Sequence, residues 1–113
     1  MDEISFESRQ IHVTGLRIAA MKGEIEVGHT YVYCLKNDSR DAPFAFGEDL
    51  YVAESVRRQG VARLLAVESI EVVKALGCYK YLGFSRFGRE DQHRRLESYG
   101  LEKWGYEFRL DLD

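Results

Sequence analysis

Only two of the 113 residues are cysteine, and there is a single proline and a single tryptophan. Cys34 and Cys78 lack Cys-x-x-Cys spacing, so the sequence suggests no disulfide framework, no redox motif and no metal site. Both read as small core residues. The lone proline and the absence of any low-complexity run exclude a disordered or collagen-like chain. With 45% hydrophobic and 31% charged residues, the composition is that of a globular protein. No apolar run approaches the roughly 18 residues that a membrane span needs. Met1-Asp2-Glu3-Ile4 has neither the basic stretch nor the apolar core of a leader, so a cytoplasmic location is expected, without membrane attachment. A basic excess is missing too. The formal net charge is −3, and Arg86, Arg89, Arg94 and Arg95 therefore read as a solvated face and not as a nucleic-acid surface. Internal repeats are absent, and a chain of this length is expected to form one domain, residues 1–113.

What is present is a change of hydrophobic period along the chain. Leu16, Ile18 and Ala20 alternate with Arg17 and Ala19, the pattern of a half-buried strand. Lys22-Gly23-Glu24 reads as a hairpin turn, and Ile25 to Leu35 as a second strand rich in aromatic and β-branched residues, bulged or bent at Gly28. The polar run 36–43 is a loop. Phe44 to Ala53 forms a third strand with an irregular middle, where Gly47 and Glu48 are both unfavourable in a ladder. From Arg58 to Leu76 the period becomes helical, with Gly77 placed to end the helix. Cys78 to Phe84 reads as a short buried strand, so the helix is a right-handed crossover between parallel strands. A second helix spans about Glu90 to Tyr99 and ends at Gly100. Trp104 to Leu112 alternates cleanly and predicts a final strand. The order is β-β-β-α-β-α-β.

The stretch from Asp49 to Leu65 organises the rest. A strand runs into a short polar turn, and the next helix opens with Arg57-Arg58-Gln59-Gly60 and carries Arg63 one turn on. The first backbone N–H groups of a helix have no intrahelical partner, and the helix dipole adds partial positive charge there. Gly60 lets a ligand approach the backbone. The result is a strand–turn–helix cradle for an anion such as phosphate.

The spacing Arg57-x-x-Gly60-x-Ala62 after a strand resembles the signature of the GCN5-related N-acetyltransferase (GNAT) superfamily. Further matches follow in the same order. Gly77-Cys78-Tyr79-Lys80 resembles the family's helix-to-strand junction, His93 to Leu101 its "fYeklGF" segment, and Gly105-Tyr106-Glu107-Phe108-Arg109 its closing strand. The likeness covers Phe44 to Asp113. It implies an α+β, or α/β, three-layer fold whose mixed central sheet contains a splayed parallel strand pair. It also implies acetyl-CoA as cosubstrate, with no metal. Leu50, Tyr51 and Val52 would hydrogen-bond the pantetheine arm through their backbones. Arg57, Arg58, Gln59, Gly60, Val61, Ala62 and Arg63 would hold the pyrophosphate. Gln92 stands where the family often has a coenzyme-touching asparagine.

The resemblance further implies direct transfer of an acetyl group to an amine of a small molecule or a protein. An amine is protonated at neutral pH, so a base must act first. Glu48 and Asp49 are the candidates, Glu48 foremost, with His29 and His12 reading as ordinary strand residues. The family's usual proton donor to the leaving thiolate is a tyrosine four residues before the glycine of "YeklGF", and here that position is Leu96. Tyr99 is the nearby substitute. Residues 4–35 show no helical period, so the two helices that usually wall the acceptor site are missing or reduced. Aromatic-rich strands such as Tyr31-Val32-Tyr33, read as an exposed edge, then favour a homodimer. The Leu96 departure keeps a second reading open, a non-catalytic acyl-CoA-binding module of the same fold.

Overall fold

The computed structural model describes residues 3–113; Met1 and Asp2, the start of the stretch read above for a leader, lie outside the described residues. Three strands come first. β1 (Val13–Lys22) and β2 (Ile25–Leu35) form an antiparallel hairpin closed by Gly23 and Glu24, with Gly23 at φ +63° where an L side chain would be strained. The polar loop that follows is turned by Asn37, whose Oδ1 accepts from the Ser39 N–H at 2.8 Å. β3 (Phe44–Val52) returns antiparallel to β2.

The crossover is α1 (Val61–Ala75), preceded by a single 3-10 turn at Glu54–Val56. It begins three residues later than its period suggests, because Arg58 and Gly60 both adopt positive φ and hold the chain outside the helix. α1 buries Leu65, Ser69 and Val73, spaced four apart on one stripe, against β2 and β3. Val32 and Ala45 are fully buried beneath it, joined by Cys34 and packed from the side by Ile18, Cys78 and Tyr81. The helix closes as expected. Gly77 lies at φ +83° and the Cys78 N–H donates back to the Val73 carbonyl.

β4 (Tyr81–Leu82) pairs parallel to β3, and the sheet order is β1-β2-β3-β4. The sequence predicts seven residues here, Cys78 to Phe84, and the ladder has two. α2 (Glu90–Ser98) repeats the same ending, with Gly100 at φ +103° and the Leu101 N–H donating to the Leu96 carbonyl.

Two further expectations are corrected. Trp104 to Leu112 forms no strand, and its alternate residues Trp104, Phe108 and Leu112 are each about nine-tenths exposed. Alternation makes a segment fit for a ladder, but a strand also needs a partner for its backbone groups. Tyr31-Val32-Tyr33 is not an edge either, because β2 lies between β1 and β3 and Val32 is fully buried. The mixed α+β architecture and its parallel strand pair are as expected, and residues 3–12 contain no helix.

Candidate functional site

Gly47 to Val52 is where the sheet departs from regularity. On β2, His29 faces Tyr51 and Tyr31 faces Glu48, so Thr30 alone stands opposite both Asp49 and Leu50. This is a β-bulge, and Asp49 absorbs it at φ +54°. Adjacent strand residues normally point to opposite faces. Here both carboxylates meet side chains of the same β2 face: the Tyr33 hydroxyl donates to Glu48 Oε1 at 2.7 Å, and His29 Nε2 lies 3.3 Å from Asp49 Oδ2. The Thr30 hydroxyl caps the Glu48 carbonyl at 3.0 Å. Donation to Glu48 pushes the Tyr33 phenol above its ordinary pKa, because ionisation would forfeit that hydrogen bond.

Around the carboxylates the face is aromatic. The rings of His29 and Tyr51 lie 5.4 Å apart, those of Tyr33 and Phe46 stack at 6.0 Å, and Phe84 follows at 5.1 Å from Phe46. Arg17 grips Glu26 with both terminal nitrogens, at 2.5 and 2.8 Å, and holds its carboxyl below the usual range.

On the other side of β3 a cleft opens. The parallel ladder has two pairs, Ala45 with Tyr81 and Phe46 with Leu82, and from Gly47 onward the two strands part. Thr30, Glu48, Asp49 and Leu50 form one wall. Ser69, Ile70 and Tyr81 lie at its base, and Gln92, Leu96 and Tyr99 of α2 and its end close the far wall. Gln92 Oε1 is buried there with no hydrogen-bond partner among the described residues.

The cleft borders the middle of α1 at Ala66, Ser69 and Ile70, and the start of that helix is open. Gly60 sits at φ +84° with open space where a Cβ would be, and no side chain caps the helix. The first helical bond is Leu64 N–H to the Gly60 carbonyl, leaving the amides of Val61, Ala62 and Arg63 without a backbone acceptor among the described residues. Arg57 is turned back, its Nε donating to the Val52 carbonyl at 3.0 Å and its guanidinium 5.9 Å from the Tyr51 ring. Arg58 and Gln59 are exposed, and the Arg63 guanidinium lies 5.8 Å from the ring of Tyr99.

The sequence matches the family model described as "Acetyltransferase (GNAT) family" over residues 18–105. The chain belongs to the GNAT acetyltransferases. Solved structures agree. An acetyltransferase of Trypanosoma brucei is 26% identical with a TM-score of 0.70, over 77% of this chain and 60% of that one. A transcriptional regulator of Bacillus halodurans C-125 superposes with a TM-score of 0.80 at 23% identity, over 87% of this chain and 66% of that one. The enzyme AAC(6')-Iy, in complex with the bisubstrate analog CoA-S-monomethyl-acetylneamine, gives 0.72 at 18% identity, over 88% of this chain and 69% of that one. This chain thus spans less than two thirds of the length of the first two. Curated protein sequences yield no match.

Within this GNAT chain, Glu48, Asp49, Leu50, Gln92 and Tyr99 border one cleft, and the loop residues 57–63 lie beyond the end of β3. Leu96 lines the cleft where the family resemblance places a tyrosine. Sequence reasoning did not find Tyr33, Thr30, Ser69 or Tyr81. Parity alone puts Tyr31 and Tyr33 on one face, but the partner opposite is set by the bulge, which no residue type announces.

Proposed function

We propose that the chain is an acetyl-CoA-dependent N-acetyltransferase domain, residues 1–113, passing an acetyl group to an amine of a small molecule or a protein. The observation that carries this reading is the parting of β3 from β4 after Phe46 and Leu82. It frees one backbone edge of β3 from Gly47 to Val52, long enough to pair with an extended amide-bearing arm such as pantetheine, and the chain leaving that edge passes through the 3-10 turn to the uncapped start of α1. Leu50, Tyr51 and Val52 take the backbone role. Arg58, Gln59, Gly60, Val61, Ala62 and Arg63 take the pyrophosphate, with Arg57 anchoring the loop to β3.

In the transfer, Glu48 accepts the amine proton, directly or through water, with Asp49 beside it. A tyrosine of the cleft stabilises the departing thiolate, Tyr99 being the one on the α2 side. Two of the fold neighbours are described as aminoglycoside acetyltransferases, which makes small polyamines a natural first panel of acceptors. We further propose that the protein acts in the cytoplasm as a homodimer, without nucleic-acid or membrane partners.

Acetyl-CoA at about a hundred times its Kd should add about 2.7 kcal/mol to the folded state, seen as a raised Tm. No rise at millimolar acetyl-CoA removes the reading. Thiol release with the amine panel then distinguishes enzyme from binding module, and Glu48→Gln should lower kcat by about 10²-fold or more while leaving the Tm rise intact. The module is favoured by one observation, Leu96 in the cleft, and binding without thiol release with both the polyamines and lysine-bearing peptides would support it.

A further inference from the structure

Of the two tyrosines that line the cleft, Tyr81 and Tyr99, Tyr81 is the one whose hydroxyl has a hydrogen-bond partner among the described residues. Its ring comes off β4 where the strands begin to part, and its Oη lies 3.2 Å from Ser69 Oγ. Ser69 is 1% exposed and its hydroxyl also lies 2.8 Å from the Ala66 carbonyl. With Ser69 donating to Ala66, its oxygen accepts from Tyr81. Gly47 faces the same phenol, and any Cβ there would overlap the Tyr81 hydroxyl. The glycine in mid-strand therefore has a function that its φ does not require: it makes room for a hydroxyl at the mouth of the strand gap.

We infer that Tyr81, oriented by Ser69, is the hydrogen-bond donor to the leaving sulfur, taking the part that Leu96 cannot. The inference rests on the acetyl-CoA reading above. The substrate ammonium first gives one proton through Glu48 to water; as the neutral amine nitrogen then bonds to the thioester carbonyl carbon, the C–S bond breaks, sulfur keeps the electron pair and the second N–H proton passes to Glu48. Tyr81 turns its O–H from Ser69 to the sulfur, and Ser69 turns its own O–H from the Ala66 carbonyl to Tyr81. No proton leaves either residue. The thiolate departs hydrogen-bonded and is protonated by water after release.

The test needs no acceptor. Coenzyme A is bound to saturation, shown by its Tm rise, and the ionisation of its thiol is followed by thiolate ultraviolet absorbance against pH. A hydrogen bond to the charged form should make the bound thiol about tenfold more acidic, one pH unit, in the wild-type protein than in Tyr81→Phe. Ser69→Ala keeps the phenol and removes its partner, so it should shift the thiol in the same direction by a smaller factor, and it stands in should Tyr81→Phe fail to fold. Equal thiol ionisation in wild type and Tyr81→Phe at saturation overturns the inference. A shift that follows Tyr99→Phe instead also overturns it and assigns the part to Tyr99. If neither coenzyme A nor acetyl-CoA binds, the coenzyme reading fails first, and this inference with it.

Discussion

Glu48 and Asp49 owe their common orientation to one extra residue in β3, and the hydrogen bond from Tyr33 is where that can be measured. Tyr33 holds its proton above the pH at which an ordinary tyrosine, near 10, releases it. The folded protein thus binds a proton that the unfolded chain gives up, so the stabilisation is complete below about pH 10 and is lost as pH rises through the raised value. Tyrosinate absorbance should show one late-ionising residue in the wild type, lost in Tyr33→Phe and earlier in Glu48→Gln; no late phase would mean the contact is not held in solution. Cys78 behaves alike for a different reason. Burial, and then its contact with Cys34 Sγ at 3.4 Å, push its thiol up to about 11 from 9.0. Between those values the folded chain keeps a proton that the unfolded chain loses, so stability is full below 9 and falls toward 11. Urea midpoints at about pH 8 and about pH 10.5 should differ more for wild type than for Cys78→Ala. At this scale the break in β3 was legible, from a glycine and a carboxylate side by side in mid-strand. Tyr33, Ser69 and Tyr81 were not, because their significance comes from partners 15, 3 and 12 residues away in sequence that only register and packing select.

Among the elements, α1 was the most legible, since its period and its closing Gly77 agree with the structure, while its start moved from Arg58 to Val61. The period gave Leu64 and Leu65 equal standing, and packing separates them: Leu65 is 3% exposed and Leu64 is 67% exposed. Leu65→Ala should therefore cost about 2–5 kcal/mol in chemical denaturation. Leu64→Ala should stay within about 0.5 kcal/mol of wild type, and equal losses would mean the helix is rotated from the face described. The bend expected at Gly28 is also present, as a register shift in which Val27 is the extra residue between Ala20 and Met21 of β1. A Cβ on Gly28 would come within 2.8 Å of the Tyr51 carbonyl and 3.0 Å of Leu65, so Gly28→Ala should destabilise by about 1–3 kcal/mol. The strands at the far edge were the least legible. β4 and the segment from Trp104 to Leu112 both carry strand patterns, yet pairing is a property of two segments, and a one-segment pattern cannot report whether the second is within reach.

For the whole molecule, the Cα radius of gyration is 17.2 Å, against about 13 Å expected for a compact chain of this length, and the extents are 65 × 32 × 30 Å. Apolar side chains are exposed toward both ends of the chain, Ile4 and Phe6 near the start and Trp104 to Leu112 near the end. Phe108, Leu110 and Leu112 are 93%, 81% and 90% exposed, alternating with Arg109 and Asp111, which pair with each other at 2.7 Å. An apolar strip of that kind marks a surface that associates. The proposed homodimer thus draws its support from this segment, and not from Tyr31 and Tyr33 as the sequence suggested. Light scattering at micromolar concentration should give twice the mass of one chain. Replacing Phe108 and Leu110 together by glutamate should return a single-chain mass, because two carboxylates cannot be buried in an apolar contact without partners. A single-chain mass for the wild type refutes the homodimer. The acetyl-CoA response of the double variant carries the second half of the argument. The residues assigned to the cleft and cradle, from Glu48 to Tyr99, come from one chain, so the Tm rise should survive in the single-chain form; its loss would mean that a neighbouring subunit holds the strand gap open.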